Sequence, residues 1–204
     1  LVVARTDIDG RLTCTFCFEN HIKMWATAAA SSGDHYTLNN AKFAERRSSN
    51  PIFFGRFEVV TEIQVGSNHW LSYTELDQTG TIAYGPIDLI LPGYALQLGA
   101  VTASTDLASI YITGNTTNGS KKIFIIKYNV NTKTITWSNL YDVTSTIAPP
   151  FPAVASSPED YALDIIEDGT NNRVIVVGRV EEVINGTLGS PYTNKFGLLL
   201  TANA

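Results

Sequence analysis

The chain has 204 residues, of which 44% are hydrophobic and only 16% are charged, and its formal net charge is −5. Its 14 basic and 19 acidic residues form no basic face, so we expect neither nucleic acid nor an anionic membrane as a partner. No apolar run approaches the ~20 residues of a membrane-spanning helix, and the low charge is typical of sheet-rich, exported proteins.

The first fourteen residues are predicted to form two short strands joined by a turn. Leu1–Thr6 is a strand-like run without an initiator Met, as in a mature or truncated form. Asp9-Gly10 supplies the positive φ that a hairpin turn needs, and Arg11–Cys14 follows it. Both runs match the last strands of the repeat described below, so residues 1–14 are expected to complete a unit.

Cys14 and Cys17 form a single C-x-x-C pair. A zinc site needs four ligands, and a redox pair normally opens a helix after a strand, so core packing or a local disulfide is the favoured interpretation. The turn at Asp7-x-Asp9 lacks the later ligands of a calcium loop. We therefore expect no metal and no cofactor. Residues 22–30 fit either a helical turn or an outer strand.

One signature recurs three times along the rest of the chain. Each copy starts at Tyr-x-Leu and reaches, 17 to 20 residues later, the glycine that ends an apolar run. A glycine there permits a bulge or a close approach of the backbone. The tyrosines are Tyr36, Tyr94 and Tyr161, and the glycines are Gly55, Gly114 and Gly178.

A loop of variable length, a second apolar run, a tight polar turn and a last strand complete each copy. In two copies the last strand ends in an aromatic residue, Tyr84 or Trp137, after a turn at Asp77–Gly80 or Asn129–Lys133. Short β-branched runs bounded by Gly, Asn and Asp predict strands and hairpins. Each copy is thus predicted to be a four-stranded antiparallel meander, with units near 36–84, 94–137 and 161–204 in a single array over 1–204.

This pattern resembles the blade repeats of large secreted bacterial surface proteins. The matching positions are Gly55, Gly114, Gly178, the turns Asp9-Gly10 and Thr79-Gly80, and the aromatics Tyr84 and Trp137. Two positions depart from the pattern: Lys133 replaces the turn glycine, and Cys14 replaces the aromatic residue. The resemblance implies a β-propeller architecture and a surface-exposed binding or scaffold role.

The predicted fold class is all-β, with three tandem four-stranded antiparallel units in a β-propeller-like arrangement. Closed propellers typically have 4 to 8 blades, whereas three periods occur here. We therefore expect a fragment of a longer chain or an open array completed by another chain, including an oligomer.

The sequence favours a non-catalytic function. It contains no G-x-S-x-G, P-loop or H-E-x-x-H motif, and the acidic pairs at 159–160, 167–168 and 181–182 fit solvated loop ends. Asn115, Asn118 and Asn185 match the glycosylation pattern, but plain turn chemistry is the favoured interpretation.

No catalytic residue is assigned, and no binding residue can be. The favoured hypothesis is an extracellular or cell-surface module that binds a protein or glycan through its variable loops. A structural subunit of an extracellular assembly is the second hypothesis, and a propeller hydrolase or lyase is the third.

Overall fold

The computed structural model describes residues 2–4, 22–24, 37–46, 55–119, 121–142, 159–185 and 191–203. Within these ranges every regular element is a β-strand, which confirms the predicted all-β class. Cys14, Cys17, Tyr36 and the run 52–54 lie outside the described residues, and so does the predicted strand at 11–14.

The described strands form three sheets in chain order and one separate pair. Sheet 1 contains β3 (Thr37–Glu45), β4 (Phe57–Val65), β5 (Asn68–Leu76) and β6 (Ile82–Leu89). Sheet 2 contains β7 (Leu96–Ala103), β8 (Ser109–Thr116), β9 (Ile123–Asn129) and β10 (Thr134–Tyr141). Sheet 3 contains β11 (Glu159–Asp168), β12 (Arg173–Asn185) and β13 (Pro191–Asn203). The separate pair joins β1 (Val2–Ala4) to β2 (Ile22–Met24).

Each sheet is an antiparallel meander of consecutive strands, as predicted, with three described strands in the third. Two short segments at the start of the chain fit less closely. Val2–Ala4 pairs with Ile22–Met24 and thus belongs to a two-stranded sheet of its own. For residues 22–24, the strand alternative is the correct one.

A bulge in the first strand fixes the register of every sheet. The register skips Asn39 in β3, Gly99 in β7 and Leu163 in β11, so the bulges recur about 60 residues apart. A bulge leaves one residue unpaired and increases the local twist. These positions give a structural reference from which the three sheets can be superposed.

The repeat glycines agree with this reference in two sheets only. Gly114 pairs with Leu98, and Gly178 pairs with Ala162, in each case just before the bulge. The matching residue of sheet 1 is Ile63, whereas Gly55 lies in a turn before β4 with φ +70°. The equivalence predicted for Gly55 is therefore wrong, because an apolar run that ends in glycine records composition and not strand register.

The two matching glycines are required by close backbone approach. A Cβ at Gly114 would lie 1.9 Å from the Gln97 carbonyl oxygen and 2.8 Å from the Phe124 ring. A Cβ at Gly178 would lie 2.1 Å from the Tyr161 carbonyl oxygen. In both sheets the bulged first strand therefore passes too close for any side chain.

The aromatic repeat positions do not share a register. Tyr94 precedes β7, whereas Tyr161 lies within β11 opposite Arg179. Tyr84 and Trp137 both lie in fourth strands, opposite Glu75 and Lys127 respectively. Once the sheets are superposed on their bulges, these positions do not coincide. These residues therefore do not align the sheets internally.

The sheets stack in chain order around two apolar cores. In the first interface, Val60 and Leu71 of sheet 1 pack with Ile112 and Phe124 of sheet 2. In the second interface, Ile125 of sheet 2 belongs to the core that contains Val174 and Val176 of sheet 3. The first strands of successive sheets are neighbours, β3 with β7 and β7 with β11. Within the described part of the chain the stack is open.

Side chains of one sheet satisfy backbone groups of the next beside the bulges of sheets 2 and 3. The Leu98 N–H donates to Glu62 Oε2 at 3.0 Å, and the Ala162 N–H donates to Asn115 Oδ1 at 3.1 Å. A buried N–H without a partner is costly, so these bonds tie the stack together. They also make Asn115, which is 4% exposed, a structural residue.

Candidate functional site

Five charged side chains meet where sheet 1 packs against the β9–β10 turn, and we call them the ionic cluster: Arg46, Arg56, Glu58, Glu75 and Lys133. The Arg46, Glu58 and Glu75 side chains are only 4%, 0% and 3% exposed. All five lie at the end of the stack that carries the first-to-second and third-to-fourth strand turns, here called the turn end. The opposite end, with the second-to-third connections, is the loop end.

Glu75 is the shared acceptor of the ionic cluster. It receives hydrogen bonds from Arg46 Nη1 at 3.3 Å, from Arg56 Nη1 and from Lys133 Nζ. Arg46 Nε also lies 3.5 Å from Glu58 Oε1. Glu75 of sheet 1 thus binds two arginines that flank β3 and β4 and one lysine from sheet 2.

Burial and hydrogen bonding give the two carboxyl groups opposite behaviour. Burial raises the pKa of Glu58, although the Tyr73 hydroxyl donates to Glu58 Oε2 and Arg46 lies beside it. Burial also acts to raise the pKa of Glu75, but hydrogen bonds from Lys133 and Arg56 outweigh it, and that pKa is lowered. The pKa of Tyr73 is raised by burial and by the neighbouring charge of Glu58.

Two carboxyl groups with pKa values pushed apart are also the pattern of an acid–base pair. Here, however, both side chains are almost completely closed to solvent, so a substrate has no access to them. The surrounding contacts are ion pairs and hydrogen bonds that join two sheets. The arrangement is therefore best explained as a structural link in the first interface.

The contacts of Lys133 account for the lysine that replaces the turn glycine of the repeat pattern. Gly80 and Lys133 occupy the tight turns of sheets 1 and 2, and both have positive φ, +78° and +60°. That conformation is unfavourable for a residue with a side chain. The Lys133 side chain gains a buried partner in return, since its Nζ bonds Glu75 and lies 4.4 Å from the Tyr84 ring centroid.

The loop end carries a second group, here called the cation–tyrosine group: Lys121, Tyr161 and Arg179. Lys121 Nζ donates to the Tyr161 hydroxyl at 2.9 Å and lies 4.5 Å from the ring centroid. Arg179 Cζ lies 4.7 Å from the same centroid. Contacts of this kind hold a cation by the negative face of the ring. The group bridges sheets 2 and 3 at the loop end.

The connections of the loop end differ in length between sheets. The connection between β4 and β5 has two residues, and the connection between β8 and β9 consists of residues 117–122. The connection between β12 and β13 consists of residues 186–190, which lie outside the described residues. The 117–122 loop is anchored because Asn118 Oδ1 accepts from the Ala95 N–H, and its amide donates to the Gly93 carbonyl. Lys121, near the end of this loop, lies beside sheet 3.

The predicted acidic pairs have different environments. Glu167 accepts hydrogen bonds from Ser104 Oγ at 3.1 Å and from the Thr105 N–H, which ties β11 to sheet 2. Asp168 pairs with Arg173 at 2.9 Å on the surface. Glu181 Oε1 lies 2.7 Å from Arg179 Nε and 3.2 Å from Lys195 Nζ. Glu167 is therefore an interface residue and not a solvated loop end.

Neither group was identified from the sequence. Glu58 and Glu75 lie in strands that contain several other polar residues, so nothing in the sequence marks these two as buried charges. Among the residues that the structure describes, no three His, Cys, Asp or Glu side chains come together as a metal site. None of the described elements is a helix that could cross a membrane.

In comparisons with known proteins, no family matches this chain, and no curated protein matches it.

Proposed function

We propose that this chain is a non-catalytic extracellular or cell-surface module that binds an anionic group of its ligand at the loop end. The proposal is supported by one observation above all. The cation–tyrosine group places two cations on the rim between sheets 2 and 3, next to connections of unequal length. Loops on a rigid sheet scaffold are common sites of recognition.

Local charge favours an acidic ligand. Arg179 and Lys195 lie beside one carboxylate, Glu181, in a chain whose net charge is −5. Lys121 and Arg179 both contact the Tyr161 ring. The Arg179 and Lys195 side chains are 40% and 59% exposed, so they can reach a ligand. Arginine and lysine bind carboxylate, sulfate and phosphate oxygens through charge-assisted hydrogen bonds. An anionic glycan and an acidic peptide share this chemistry.

Tyr94 adds an aromatic surface at the same end. Its side chain is 39% exposed, and it directly precedes Ala95, whose backbone bonds to the 117–122 loop. Aromatic rings with one exposed face are frequent in binding surfaces. The ring and the cations would contact different parts of one ligand.

An array of neutral glycans, anionic glycans and acidic peptides tests the proposal. We expect binding to the anionic arms only, and Lys121→Glu should weaken it at least about tenfold because a repulsive charge replaces an attractive one. The matched control is Lys42→Glu, an exposed lysine on β3 of sheet 1. No binding in any arm, or equal loss in both variants, would count against the proposal.

A structural role in an assembly is the second candidate, and it is favoured by the uncovered face of sheet 3 considered below. A hydrolase or lyase is the third, although the two carboxyl groups of the ionic cluster are closed to solvent. Glycosidase or esterase activity of the purified chain would replace the binding proposal.

A further inference from the structure

The face of sheet 3 that points away from sheet 2 is exposed, and its two central rows carry four aliphatic residues beside Asp164 and Thr201. β12 contributes Ile175 and Val177 to this face, and the residues paired with them include Ile166 and Leu199. Ile166, Val177 and Leu199 are 53%, 46% and 68% exposed. We call these four residues the end face.

Superposition on the bulges shows how unusual this exposure is within the molecule. Leu199 matches Leu71 of sheet 1 and Ile125 of sheet 2, and both of those are 0% exposed. At this one position, three sheets carry an aliphatic residue, and only in the last sheet is it uncovered.

The neighbouring positions of the end face behave in the same way. Ile175 is partly exposed, whereas its matches Val60 and Tyr111 are 0% exposed. Val177 matches Glu62 and Thr113, which are polar and are 1% and 0% exposed. In sheets 1 and 2 the next sheet covers these positions. The β12 and β13 residues of the end face thus occupy positions that are buried in sheets 1 and 2, whereas in sheet 3 they are partly or largely exposed.

Charged pairs border the aliphatic band on both sides along the strands. Arg173 with Asp168 lies toward the turn end, and Glu181 with Arg179 and Lys195 lies toward the loop end. An apolar centre with a rim of both signs is the usual anatomy of a protein interface. A face with both signs at its rim can also pair with a rotated copy of itself, as a twofold interface requires.

We infer that the end face is a self-association surface, on which a second copy of this chain packs sheet 3 against sheet 3. The surface continues a stack that already contains two sheet-on-sheet interfaces. The face is three strands wide, with neighbouring strands ~4.8 Å apart, and each strand presents about five residues on it, so its area is roughly 400 Å². A standard interface buries ~800 Å² per partner. A weak dimer that forms at micromolar or higher concentration follows, with Arg179 and Lys195 at the rim of its interface.

Sedimentation of the purified full chain over micromolar to near-millimolar concentration tests this inference. We expect a reversible dimer whose dissociation constant rises at least about a hundredfold in Leu199→Glu, because each dimer loses two buried leucines. The matched control is Ile90→Glu, since Ile90 is 59% exposed on the β6–β7 connection and not on this face. The control should dimerise like the parent chain.

Leu199 is largely exposed, so the glutamate variant is expected to fold, and an unchanged thermal transition at a concentration where the parent is monomeric checks this. A chain that remains monomeric throughout the range overturns the inference. So does a dimer that persists in Leu199→Glu or is lost equally in Ile90→Glu. Loss of ligand binding by Lys121→Glu would leave this result unaffected, so the two proposals fail separately.

Discussion

The two interfaces of the stack join similar sheets by different means. The first surrounds the ionic cluster, whose Glu58 and Glu75 are almost fully buried. The second is aliphatic around Ile125, with close backbone contact at Gly99. Buried ions that have partners are tolerated, but an ion left without one is costly. Similar sheets can therefore be joined through buried ion pairs or through a mainly aliphatic core, and the two interfaces should fail in different ways.

Glu75→Ala should produce the largest effect by breaking the first interface. The substitution removes one of the acceptors of the buried Arg46 and also the carboxylate partner of Lys133. We expect the free energy of unfolding to fall by about 3–5 kcal/mol, measured by urea denaturation. Asp168→Ala, which removes a surface partner of Arg173, is the control and should change stability several times less. Similar losses in both variants would contradict the assigned role of Glu75.

Gly99→Ala should break the second interface instead. The added Cβ would lie 2.6 Å from the Ala162 carbonyl oxygen and 3.2 Å from that of Thr113. Forcing sheet 3 away should cost about 1–3 kcal/mol. Hydrogen exchange should show lost protection in β11 while β4 stays protected. Gly197→Ala, with open space around the new Cβ, should leave β11 unchanged, and loss confined to sheet 1 would refute the assignment.

Lys133 contributes two opposite effects to the stability of the first interface: its positive φ is unfavourable, and its ion pair with Glu75 is favourable. Lys133→Ala and Lys133→Gly both lose the contact with Glu75. The alanine variant keeps the unfavourable positive φ, whereas glycine adopts this φ without strain. We expect the glycine variant to be more stable than the alanine variant by about 1 kcal/mol, as measured by thermal unfolding. Gly80→Ala tests the matching turn and should be destabilising by a similar amount. Equal stability of the two Lys133 variants would show that this turn carries no strain.

The smallest predicted effect is a slope of stability with pH. Because the folded pKa of Glu58 is raised, the folded state binds this proton more tightly than the unfolded state does. The stabilisation is complete below the ordinary carboxyl pKa and disappears as pH rises through the raised folded pKa. Glu58→Gln should remove this decline, which urea titrations across that range would measure. An unchanged slope in the variant would exclude Glu58 as its source.

Local chemistry was sufficient to predict the elements of the fold. The Asp77 and Asn129 side chains cap the two tight turns by accepting nearby backbone N–H groups, and both residues marked those turns in the sequence. The short β-branched runs between turns became strands. What failed was register, as at Gly55, because the bulges that set it at Asn39, Gly99 and Leu163 share no residue type.

The ionic cluster could not be predicted, because its members are distant in sequence. Arg46 and Lys133 are 87 positions apart, and only stacking of sheet 2 on sheet 1 brings both to Glu75. In a sequence, each charge on a strand indicates a solvent-facing position. The cation–tyrosine group was missed for the same reason, since Lys121 and Tyr161 belong to different sheets.

The meander topology has a consequence for how such a molecule can change during evolution. Every described sheet completes its hydrogen-bond ladder within one uninterrupted stretch of chain. Duplication of such a stretch adds a sheet without rethreading any existing strand, and deletion removes one just as cleanly. The number of sheets is then free to drift, provided that each new neighbour accepts the bulge of the next.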